Sequence, residues 1–212
     1  MKKNIFIQAV KPTIILFIFF SIFWSINLNK VYASFGYKAS ITIDHTLVPN
    51  TDQTDFPILV SGTYTGAGGI PDLRTVGNGG KVQNANGYDI YFYSDSALTT
   101  RIPAERELYN ASTGQIVFWV KSTVTTATNK VIYIGYGDSG ISTDPNTDGT
   151  YGKTNVWDAN YKGVWHLPNG TTLTADDSTG NANNGTLNNT PTAATGNTVS
   201  YTHLTLPTNR EV

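Results

Sequence analysis

Between residues 39 and 136 the apolar side chains return at every second position, run after run, and that period suits a strand and not a helix. Residues 39–44 (A-S-I-T-I-D) put Ile41 and Ile43 on one face. Residues 88–94 (Y-D-I-Y-F-Y-S) do the same with Tyr88, Ile90 and Phe92, and residues 115–121 (Q-I-V-F-W-V-K) with Ile116, Phe118 and Val120. Residues 130–136 (K-V-I-Y-I-G-Y) are apolar on both faces, as a strand covered on both sides would be. Residues 56–60 (F-P-I-L-V) form a short run whose Pro57 suits a sheet edge or a strand start. Seven glycines between residues 62 and 80 mark a loop. About a hundred residues of strands at this spacing predict an all-β fold, an antiparallel β-sandwich of jelly-roll-like kind, with Ile41, Ile43, Ile90, Phe92, Ile116, Phe118 and Ile134 in its core.

The N-terminus is built differently. Lysines at 2, 3 and 11 precede a largely apolar run over residues 13–28, and Val31-Tyr32-Ala33 offers small or tolerated residues at cleavage positions. This is the pattern of a secretory signal peptide over residues 1–33. It predicts a secreted or cell-surface protein beginning at Ser34, with no membrane insertion after cleavage. Removing the four lysines of residues 1–33 leaves 10 basic against 15 acidic residues, a net of −5. Such a chain is poorly suited to nucleic acid or an anionic membrane, both of which call for a basic face. No cysteine is present, which excludes disulfides, thiolate metal sites and cysteine nucleophiles.

Five motifs carry a resemblance when taken in order: T-D-F-P-I-L-V at 54–60, G-Y-D-I-Y-F at 87–92, I-P-A-E-R-E-L at 102–108, Q-I-V-F-W-V-K at 115–121 and V-I-Y-I-G-Y-G at 131–137. Together they resemble domain of unknown function 2341, over roughly residues 34–150. The resemblance implies an extracellular β-sandwich module that often precedes laminin G-like domains. Further on, V-W-H-L at 164–167 and D-S-T-G-N-A-N-N-G at 177–185 resemble the first strand and first loop of a concanavalin A-like (laminin G-like) sandwich. The expected organisation is a sandwich over 34–140, a polar linker over 141–155, a truncated start of the second sandwich over 156–198, and a tail over 199–212 that resembles translated sequencing-adapter sequence.

Candidate chemistry is sparse. G-D-S-G at 137–140 looks like a serine-protease nucleophile loop, but His45 is the only histidine upstream and lacks a matching context. Glu105 and Glu107 would share a strand face and could form an acid and base pair, although such neighbours are usually solvated. Asp144, Asn146 and Asp148 fit the front half of a calcium loop, without the glutamate expected at its twelfth position. Asp177 opens a second oxygen-rich loop, and the laminin G-like resemblance implies that it could hold calcium. No other cofactor is expected. Tyr91, Tyr93 and Trp119 lie on faces opposite the core set and could stack on sugar rings. His166, a lone histidine, reads as structural. The expected function is a non-catalytic binding or adhesion module for an extracellular glycan or surface protein. The alternatives are the non-catalytic part of a glycan-active enzyme and a structural spacer.

Overall fold

In the computed structural model, residues 34–167, 173–189 and 191 are described. The signal-peptide reading of residues 1–33 and the tail at 199–212 lie outside them. All described residues fall in one unit, Ala33–Val212. Six strands make it all-β: β1 (Tyr37–Ile43), β2 (Gln53–Thr63), β3 (Ile90–Tyr93), β4 (Ala104–Asn110), β5 (Gln115–Val124) and β6 (Lys130–Tyr136). They form two three-stranded antiparallel sheets, ordered β1-β6-β3 and β2-β5-β4. The helical pieces among the described residues are single 3-10 turns.

The two-residue period places the core. Ile90, Phe92, Ile132, Ile134 and Tyr136 from one sheet meet Val60, Ile116, Phe118 and Val120 from the other. The rings of Phe92 and Phe118 lie 5.1 Å apart across the sandwich. Ile41 and Ile43 pack against this core but are only partly buried, because β1 is an edge strand. β6 is apolar on both faces for a visible reason. It is the middle strand of its sheet, and Phe35 and Leu98 cover its outer face at Gly135, where a Cβ would meet them at 2.8 and 3.0 Å.

Two features depart from the strand reading. β2 runs for 11 residues, well beyond residues 56–60, and keeps Pro57 at the sheet edge, where a missing N–H breaks no ladder. The glycine-rich stretch and the residues just after it also contribute to the core, through Leu73 and Val82, both fully buried. Tyr109 Oη holds it by donating to the Leu73 carbonyl at 2.8 Å. Asp89 closes the same end of the sandwich. Its buried carboxylate accepts from the backbone N–H groups of Gln83, Asn84 and Gly137 at 2.8, 3.0 and 3.1 Å.

Among the described residues no helix is long and apolar enough to cross a membrane.

Candidate functional site: a histidine held between two glutamates

The outer face of the β2-β5-β4 sheet begins as an ordinary strand surface. Alternation that sends Phe118 inward sends Trp119 outward, and Glu105 of β4 stands opposite it. The β4–β5 register then slips between Arg106 and Leu108. Glu107 is the extra residue of this bulge. The slip turns Tyr109 towards the core and leaves Glu105 and Glu107 together beside Trp119.

The chain beyond residue 155 covers this face. Val156 and Trp157 are buried against Trp119, with Leu59, Tyr161 and Val164 packed around them. The Trp157 ring centre lies 5.4 Å from that of Trp119 and 5.1 Å from that of Tyr161. A single antiparallel bridge, Trp165 with Asp177, turns the segment back. Asp177 organises the turn. Its Oδ1 accepts from the N–H groups of Val164 and Thr179, and its Oδ2 from Thr179 Oγ1 and the Asn183 N–H, all at 2.9 Å. Burial pushes its pKa up, but these four donors outweigh it and hold the carboxyl below the usual range.

These pieces converge on Glu105, which is only 3% exposed. Its Oε2 accepts from Trp157 Nε1 at 2.8 Å and from His166 Nε2 at 3.1 Å, while Ser178 Oγ donates to its Oε1. Glu107 Oε2 accepts from Trp119 Nε1 at 2.8 Å and lies 3.2 Å from His166 Nδ1. The imidazole thus bridges the two carboxylates and stacks on Trp119, 22° from parallel. Burial alone would lower the pKa of His166. The hydrogen bonds and charges of Glu105 and Glu107 overcome this and raise it to about 9. At neutral pH the ring is therefore a cation and both N–H groups donate.

This arrangement decides what the glutamate pair can do. Glycoside hydrolysis needs open space between two carboxylates for the scissile bond. Here an imidazolium occupies that space. Its two nitrogens turn to different carboxylates, so the three groups do not converge on a common point. Among the described residues no group of three His, Asp or Glu side chains is arranged to hold a metal ion.

The other candidate residues lie elsewhere. Asp144 caps a 3-10 turn over Pro145–Thr147 and pairs with Arg106 at 3.2 Å. Asn146 uses its Oδ1 and Nδ2 on the Arg106 N–H and carbonyl, at 2.8 and 2.9 Å. Asp148 pairs with Arg101 at 2.8 Å and accepts from the N–H groups of Thr150 and Tyr151. All three are thus bound to β4 or to the chain beside it, and Asp177 belongs to the separate turn described above. Tyr91, Tyr93 and Trp119 do face away from the core, as the alternation predicts, yet each ring is covered. Arg101 lies 3.7 Å over Tyr91, Phe35 sits edge-on to Tyr91 and Tyr93, and Trp157 and His166 cover Trp119. The G-D-S-G segment is a turn in which Asp138 Oδ1 accepts from the Gly140 N–H. His45 hydrogen-bonds Asn129 beyond the opposite end of the β1–β6 pair, about 20 Å of strand away, so no Ser–His contact forms.

Residues 86–166 match the family model Domain of unknown function (DUF2341). No curated protein and no solved structure matches the chain. The DUF2341 match starts just before β3 and ends on His166, so it takes in Glu105, Glu107, Trp119, Trp157 and the imidazole that joins them. It continues through residues 141–155 and beyond Trp157, across the stretch for which the sequence predicts a linker and the start of a second domain. The signal that ties His166 to Glu105 is weak in sequence. Only the W-D and V-W-H aromatics after residue 155 hint that an apolar face there needs a partner.

Proposed function

We propose that this chain is a secreted or cell-surface, non-catalytic binding or adhesion module whose sandwich serves as a rigid seat for the segment that follows it. The clasp of Glu105 and Glu107 on Trp157, His166 and Ser178 carries this reading. It joins residues up to 73 positions apart and covers the outer face of the β2-β5-β4 sheet with the segment that follows. The export-type N-terminus and the acidic balance after residue 33 support an extracellular setting. The ligand class is an extracellular glycan or surface protein. The segment from residue 156 is read as the start of a concanavalin A-like domain, a reading supported by the Trp165–Asp177 bridge and the Asp177 turn. The rigid seat also favours a second reading, a structural spacer.

The test displays the full chain on a bacterial surface and measures attachment to immobilised glycans and extracellular proteins, with reducing-sugar release assayed in parallel. Attachment without sugar release supports a binding module. Turnover of a bound glycan overturns it, and failure to attach to any surface favours the spacer.

A further inference from the structure

Docking of the 156–161 segment creates a groove that neither element has alone. It lies between the first residues of β2 and the turn at Asp158, with a volume of about 480 Å3, within the ~300–1,000 Å3 range of small-molecule sites. Its walls include Gln53, Asp55, Phe56, Asp158, Asn160 and Tyr161.

The chemistry of these walls is dominated by acceptors, with the Thr54 hydroxyl among them. Asp158 is held by its own turn, with Oδ1 accepting from the Asn160 N–H at 2.8 Å and Oδ2 from Asn160 Nδ2 at 3.1 Å. That leaves Asn160 Oδ1 with no donor among the described residues. Gln53 gives its Nε2 to the Thr51 carbonyl at 2.8 Å, which likewise leaves Oε1 as an open acceptor. Asp55 stands at the β2 bulge with φ of 51° and 62% of its side chain exposed, 3.6 Å from Lys121 Nζ. The groove therefore presents carboxylate and amide oxygens and asks for a ligand rich in donors. Lys121 offsets one of the two carboxylates, which weakens the case for a cation, and the carboxylates repel an anion. Apolar surface stands beside the acceptors. Phe56 is 44% exposed, and Tyr161 is fixed edge-on against Trp157. Hydroxyl donors on a ring with apolar C–H faces satisfy both requirements.

We propose that this groove binds a neutral glycan, with sugar hydroxyls donating to Asp55, Asp158, Asn160 and Gln53 and the sugar's apolar face resting on Phe56 or Tyr161. The proposal rests on the reading above that the module binds an extracellular ligand, and it names the site and the ligand class.

The test uses the full chain in affinity gels cast with mixed-linkage β-glucan, arabinoxylan or galactomannan, with thermal melts of every variant. Wild type should be retarded by at least one of these. Phe56→Ala and Asp158→Asn should each weaken that retardation tenfold or more with melting temperature held within a few degrees, while Val76→Ala, at an exposed position outside the groove, leaves it unchanged. Retardation that survives both groove substitutions overturns the groove as the site and leaves the binding-module reading standing. Wild type retarded by no neutral polysaccharide overturns the glycan assignment itself. So does a soluble oligolysine that binds wild type and loses affinity on Asp158→Asn in the absence of any glycan binding.

Discussion

His166 Nε2 and Glu105 Oε2 stand 3.1 Å apart although 61 residues separate them in sequence, and their side chains are only 11% and 4% exposed. Burying opposite charges is costly unless each is fully engaged. Here Glu105 also takes donors from Trp157 and Ser178, and His166 has Glu107 on its other nitrogen.

Removing the imidazole should therefore cost more than its contact area suggests. His166→Ala leaves two neighbouring carboxylates without the cation between them. We expect a loss of about 3 kcal/mol, at the low end for breaking a buried pair because the tryptophan and serine donors remain. Urea unfolding at pH 7 measures it, and a loss below about 1 kcal/mol would place the pair with weak surface ion pairs.

The same ring makes stability depend on pH in a set direction. His166 titrates near 9 when folded and near 6.5 when unfolded, so the folded state holds its proton more tightly. The contribution is complete below pH 6.5, where both states are protonated, and is lost as pH rises through about 9. The shift corresponds to about 3 kcal/mol. Unfolding free energy should fall across pH 6.5–9, and His166→Ala should flatten that fall. An equally steep fall in the variant would assign the effect to other groups.

Phe118 tests the sandwich itself. It is 1% exposed and packs against Phe92 at the centre of the core. Phe118→Ala should cost about 3–5 kcal/mol through lost burial and the cavity left behind. A denaturant midpoint close to wild type would contradict the packing.

The core was legible because each of its strands carries its own pattern. Ile90, Phe92, Ile116, Phe118 and Ile134 follow from the period alone, and the doubly apolar 130–136 run is the middle strand it resembles. Leu73 and Val82 were not legible, since single apolar residues among glycines carry no period. Nor was the clasp. Glu105 and Glu107 correctly share a face, but a strand pattern cannot say that a histidine sixty residues later will cover it. The bulge at Glu107 is likewise set by pairing with β5 and leaves no mark in the local sequence.

Calcium offers a separate test. Asp144 and Asp148 are each paired with an arginine, so a cation would have to displace Arg106 and Arg101. A melt of the full chain should be unchanged between chelator and millimolar calcium. Saturating a site at about 100 times its Kd would add about 2.7 kcal/mol. A rise of several degrees, abolished by Asp144→Ala with Asp148→Ala, would show that the arginines yield.

The side-chain amide of Asn146 has a consequence for crowding. With one oxygen and one nitrogen it answers both backbone groups of Arg106 on the border of β4, as a neighbouring strand would. A sheet border left open is a template on which another copy can add itself, strand upon strand. Asn146 blunts that border with a single residue, and Tyr151 does the same at Ala104 through its carbonyl. Copies that meet along this border would thus touch through their side chains and not add a strand across β4.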